Sequence, residues 1–250
     1  MLINRIIKIA LLLFGGVYVL LQGLALEIEG AFLGAVLLSI LTVLYIGWTK
    51  HKSKFFISFL VTFTLGQILG AISWHLPETK PNDINYLYFI TNALYILAYV
   101  LLILKTIKQL NLRTVFSELT IPILVLVVLD IFCVTLISNT TIDVLTTSQY
   151  ILEYVYNGVI MALLSIALID YMYRNNSKSM LFLLATIFIT FSEIIQLAYF
   201  YILNDENLGF VYALFLIVAF FFFYIQSQYK VTDPVADYIE ESLGVENTKA

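Results

Sequence analysis

Eight stretches of about twenty mainly apolar residues, separated by short polar turns, leave this chain one way to fold, as helices that cross a membrane. Lipid offers the backbone no hydrogen-bond partner, so a spanning segment must satisfy its own peptide groups, and a helix of roughly 20 residues is the shortest that does so across the hydrocarbon. The runs fall at about 5–25, 30–48, 55–74, 85–105, 117–138, 149–172, 180–202 and 208–228. Turns such as Lys50-His51-Lys52-Ser53-Lys54 and Asn204-Asp205-Glu206-Asn207 separate them. The narrowest break is the first, where Glu27, Glu29 and Gly30 divide two runs and charge is the main sign of a turn. Hydrophobic residues make up 61% of the 250 and charged ones 12%, against about a quarter charged in a water-soluble domain.

These features predict an all-α, polytopic transmembrane bundle occupying residues 1–229, with a short acidic tail at 230–250. The first run is read as a helix and not as a cleaved signal, because no small-residue cleavage site follows it. In the tail, Asp233 and Pro234 predict a helix start, with Val235, Ile239 and Leu243 on one face and Gly244 as its stop. The single cysteine, Cys133, excludes an intrachain disulfide.

Lysine and arginine orient the bundle, since they are retained on the cytoplasmic side. Placing both ends in the cytoplasm puts twelve of the thirteen basic residues there, leaving Lys80 outside with Glu27, Glu29, Glu78, Asp83, Asp143, Asp205 and Glu206. A bacterial inner-membrane protein is the expected setting. The basic residues are scattered at helix ends, which topology explains, and no nucleic-acid partner is expected. No lysine occurs in the seventh or eighth run to carry a retinal Schiff base, and His51 and His75 fall on opposite sides, so no metal or other cofactor is expected.

Polar side chains within a span cost free energy unless they face a bundle interior or water, and so point to function. Gln22, Gln67, Asn92, Asp130, Glu153, Asn157, Glu193 and Gln196 all lie within the runs and converge on one depth, from the midplane to the outer half. Glu153 with Asn157, and Glu193 with Gln196, are spaced to share a helix face that points inward. Tyr95, Tyr99, Tyr154 and Tyr199 lie at similar depth, although tyrosines near an interface are ordinarily belt residues. Asp170 and Tyr171 sit at a cytoplasmic helix end, where snorkelling accounts for them. Two readings of the cluster stand side by side. It is either interhelical glue, worth about 0.6–2 kcal/mol per bond, or a site in which a carboxyl within an apolar pocket serves as a general acid.

The third, fourth, seventh and eighth runs resemble those of the YhhN family, the lysoplasmalogenase-like membrane proteins. Where that family shows Gly-Asp in the third helix, LVTFTLGQILG has Gly66-Gln67; where it shows a His three residues before a Tyr, FITNALYILAY has Asn92 and Tyr95; and its Ser-Asp pair is matched by Ser192-Glu193. Tyr224-Ile225-Gln226-Ser227-Gln228 approximates the pattern that ends the family's last helix. The resemblance implies hydrolysis of the vinyl-ether bond of lysoplasmalogens, releasing an aldehyde, with a membrane lysophospholipid-like amphiphile as partner. On that basis Glu193 is the expected acid, with Glu153 or Asp130 as its partner, and Gln67, Asn92, Tyr95, Asn157 and Gln196 are expected to bind substrate. Gln67 and Asn92 replace the family's Asp and His, and this favours the alternative, a noncatalytic membrane protein that binds or carries a small amphiphile. Gly66-Gln67-Ile68 and Ser192-Glu193-Ile194 lie 126 residues apart, a spacing that also suits an old duplication into two four-helix halves.

Overall fold

The computed structural model describes residues 2–49, 52–77, 84–203 and 205–230. The tail helix expected from Asp233 to Gly244 lies outside them. Eight long apolar helices occur among the described residues: α1 (Leu2–Gly23), α2 (Glu27–Trp48), α3 (Lys54–Ser73), α4 (Tyr86–Ile107), α6 (Thr120–Asn139), α7 (Thr147–Arg174), α8 (Ser177–Tyr201) and α9 (Glu206–Ser227), with a two-turn helix α5 (Leu112–Glu118) leading into α6. Each long helix is long and apolar enough to cross a membrane. The protein is therefore a multi-pass α-helical membrane protein.

Side chains stop and start these helices where lipid would otherwise meet bare peptide groups. Asn85 Oδ1 accepts the Tyr88 amide at 3.0 Å, Asn176 Oδ1 accepts the Ser179 amide at 2.9 Å, and Asp205 Oδ1 accepts the Asn207 amide at 3.0 Å. Thr146 and Gln149 form a reciprocal capping box before α7. The first break differs from expectation. The chain reverses one step earlier, through Ala25 at φ 53°, so Glu27 and Glu29 occupy the first turn of α2, where carboxylates complement the positive end of the helix.

The long helices close into a ring: α1 packs on α2, α2 on α3, α3 on α4, α4 on α7, α7 on α8, α8 on α9, and α9 back on α1. Among the long helices, α6 packs chiefly on α7, so it stands outside the ring. Bonds across the α6/α7 face hold it there, among them those from Asn157 Nδ2 to Ser138 Oγ at 3.1 Å, from Ser165 Oγ to Asp130 Oδ1 at 2.8 Å and from Tyr150 Oη to Asn139 Oδ1 at 3.3 Å.

The interior of the ring differs from end to end. The half formed by the start of α3 and α8 and the end of α4 and α9 is filled by Phe56, Phe59, Phe63, Phe182, Phe220 and Phe223, all buried, with rings stacked, tilted or edge to face. Such aromatic packing fills volume and adds about 0.5–1.5 kcal/mol per pair beyond burial. Over this floor, the half formed by the end of α3 and α8 and the start of α4, α7 and α9 is hollow.

Candidate functional site

Seven of the eight in-membrane polar residues line this hollow. Gln22 of α1, Gln67 of α3, Asn92 of α4, Glu153 and Asn157 of α7, and Glu193 and Gln196 of α8 border one cavity of about 420 Å³, with Tyr95 beside them. This volume falls in the range of small-molecule sites. The eighth residue, Asp130, sits at the α6/α7 interface bonded to Ser165 and does not border the cavity. The expected convergence on one level does not include Asp130: its partner Ser165 lies twelve residues along α7 from Glu153, and α6 stands outside the ring.

Glu193 is the most tightly held group. Tyr99 Oη donates to its Oε1, and Tyr156 Oη donates to its Oε2 at 2.8 Å. Tyr99 is fully buried and Tyr156 nearly so, so both carboxyl oxygens are fixed from the floor of the cavity. Two phenols from α4 and α7 thus orient a carboxyl from α8. Glu153, 7% exposed, borders the same cavity with Asn157 as a hydrogen-bond neighbour one turn on.

Other members of the lining are held by bonds within and between helices. Tyr212 Oη donates to Gln22 Oε1 at 2.6 Å, joining α9 to α1. Asn92 Nδ2 donates to the Tyr88 carbonyl at 2.8 Å within its own helix. Gln67 hydrogen-bonds Tyr95, and a Cβ added at Gly66 would lie 2.8 Å from the Tyr95 ring, so glycine there lets the two helices meet. Thr91 borders the cavity, and its buried Oγ1 has no hydrogen-bond partner among the described residues.

Of the tyrosines weighed from sequence, Tyr95 lines the cavity, Tyr99 reaches Glu193, and Tyr199 Oη donates to Glu27 Oε1 at 2.7 Å near the mouth. Tyr154 is 39% exposed on the outer face, as a belt residue. Tyr156 was not singled out, although it lies three residues after Glu153 and one before Asn157, a spacing that puts it on the same inward face. Asp170 is not explained by snorkelling: it is 8% exposed, and its Oδ1 accepts a bond from Arg174 Nε at 2.8 Å.

A second, apolar groove of about 300 Å³ adjoins the cavity. Leu11, Leu12, Leu37, Leu41, Ile217 and Phe221 supply much of its wall, and Lys8 and Tyr224 its far end. Tyr18, Gln67 and Leu216 border both spaces. From Tyr18 to Lys8 the groove follows ten residues of α1, about 15 Å of helix.

No family model, curated protein or solved structure matches the chain.

Proposed function

We propose that this membrane protein takes a single-chain amphiphile, its polar head in the cavity and its alkyl chain in the adjoining groove, and hydrolyses it in the manner of the lysoplasmalogenase-like family that the sequence resembles. The observation that carries this reading is the buried carboxyl of Glu193, fixed by Tyr99 and Tyr156 in a polar cavity that continues through Tyr18, Gln67 and Leu216 into an apolar groove. A purely structural carboxyl needs no such cavity beside it.

The chemistry is short. A vinyl ether is cleaved when a proton is added to the alkene carbon remote from the ether oxygen, leaving an oxocarbenium ion. Water adds to that ion, and the resulting hemiacetal collapses to an aldehyde and a glycerol hydroxyl. Glu193 is the proton donor in this scheme, and Glu153 is the carboxylate placed to take the proton of the incoming water. Asp130 has no part in it. Gln67, Asn92, Gln196 and the unpartnered hydroxyl of Thr91 are polar contacts for the head. The basic residues support an orientation in which the cavity opens toward the outer side and both ends of the bundle are cytoplasmic.

The test is aldehyde release by the purified protein in detergent from an alkenyl lysophospholipid, beside its acyl counterpart. Release from the alkenyl lipid supports the hydrolase. Tight binding of both without turnover of either would favour the carrier reading, for which Gln67 and Asn92, standing where the family has Asp and His, are the specific argument.

The groove makes a separate prediction. Leu12 borders it and is otherwise exposed to lipid, so Leu12→Trp fills the groove without disturbing the core. Its kcat/KM for a long-chain substrate should fall about tenfold or more, with a short-chain analogue unaffected. Equal losses for both lengths would remove the alkyl chain from the groove.

A further inference from the structure

We propose a phosphate-binding cleft at the opposite end of the bundle, independent of the cavity and of the reaction assigned to it, in which Lys105 and Gln226 receive an oxygen of free phosphate or of the phosphate head of an anionic lipid. The sequence placed the lysines there as scattered topology signals. Instead Lys105 from α4, Arg174 from α7 and Lys178 from α8 border one cleft, together with Gln226 from α9.

Most charged groups in the cleft are already engaged. Arg174 donates to Asp170 at 2.8 Å and to the Gln109 carbonyl, and Lys178 Nζ donates to the Tyr229 carbonyl at 2.5 Å. Lys105 is different. It is 6% exposed, its ammonium lies 5.1 Å from the Phe56 ring centre and 5.4 Å from that of Phe182, and it forms no ion pair among the described residues. Its only carboxylate neighbour in the cleft, Asp170, acts on it at a distance and is bonded directly to Arg174; a buried ammonium without a directly bonded counter-ion is costly, and aromatic faces offset only part of that cost. The second observation comes from another helix: Gln226 is 1% exposed, and its side-chain amide nitrogen is buried with no hydrogen-bond partner among the described residues.

Three basic side chains face the one carboxylate of Asp170, and the start of α8 adds amide dipoles of the same sign, while the C-terminal ends of α4, α7 and α9 offset part of that charge. The cleft holds only about 20 Å³, slightly more than the space one water requires. It therefore admits one oxygen of a phosphate and leaves the rest of the molecule at the mouth. Free phosphate and the head of an anionic lipid share this chemistry.

The test is thermal unfolding of the full chain in neutral detergent. Inorganic phosphate is compared with chloride at equal ionic strength, and phosphatidic acid with the diacylglycerol of the same chains. The expected result is a rise in Tm of about 5 °C at saturation. A rise with phosphate alone identifies the free anion as sufficient; a rise only with phosphatidic acid identifies the lipid; either supports the cleft. Lys105→Met keeps the alkyl stem between Phe56 and Phe182 and should abolish the shift. Gln226→Leu should reduce it at least severalfold, and it carries the test if the lysine variant does not fold. No shift in either series, or a full shift retained in Gln226→Leu and in any folded Lys105→Met, overturns the proposal.

Discussion

Glu193→Gln should lower aldehyde release by about 10²- to 10⁴-fold, the range that a positioned general acid contributes, while the folded protein survives. The amide keeps the size of the carboxyl. Its carbonyl still accepts from one phenol and its NH₂ donates to the oxygen of the other, so the bonds to Tyr99 and Tyr156 are rearranged, not lost. What disappears is the acidic proton. The measurement is initial rate of aldehyde release beside thermal unfolding of the same sample. A rate within a few fold of the parent at unchanged stability would remove Glu193 from the chemistry. Tyr156→Phe provides the contrast: it frees one carboxyl oxygen without touching the acid, so a smaller loss is expected, together with some destabilisation.

The largest expected effect on stability falls at a residue with no side chain. A Cβ on Gly209 would lie 2.4 Å from the carbonyl oxygen of Gln22. The obstacle is backbone, so no rotamer change relieves it, and α1 and α9 must separate where Tyr212 bonds Gln22 and the ring closes. Gly209→Ala should cost about 3 kcal/mol, at the upper end for an overpacked core, and lower Tm by about 10 °C. Gly158→Ala is the control, since nothing lies within 4 Å of its Cβ. There the better helix propensity of alanine should leave Tm unchanged or slightly raised. Equal behaviour of the two variants would mean that α1 and α9 are not held together this closely.

The eight crossings were legible because lipid imposes a length, and each run meets it within about three residues. Their neighbours were not legible. In lipid an apolar face has no preference between another helix and the surrounding chains, so hydrophobic pattern does not say which helix packs on which. Asp130 shows the result. It is bonded to Ser165, twelve residues or about 18 Å along α7 from Glu153, and α6 faces α7 from outside, so the two carboxyls serve different spaces. The tyrosines show a second limit. Tyr88, Tyr95 and Tyr99 lie at helical spacing with Asn92, yet composition alone does not separate an inward tyrosine from one at a membrane interface. The idea of two equivalent four-helix halves fares less well in packing, since α1 belongs to the ring and its counterpart α6 does not.

A closed ring with an odd number of members cannot alternate in direction all the way round, so one adjacent pair must run parallel. Here that pair is α4 and α7, and α6 is the return crossing that lets α7 enter from the same face as α4. Two C-terminal helix ends, each carrying partial negative charge, consequently emerge side by side. Lys105 near one end and Arg174 at the other, the latter donating to the Gln109 carbonyl beyond α4, are where that charge calls for cations. Deleting α6 would therefore do more than remove a peripheral helix: every later segment would have to enter the membrane upside down, and Glu193 would leave the level of Tyr99.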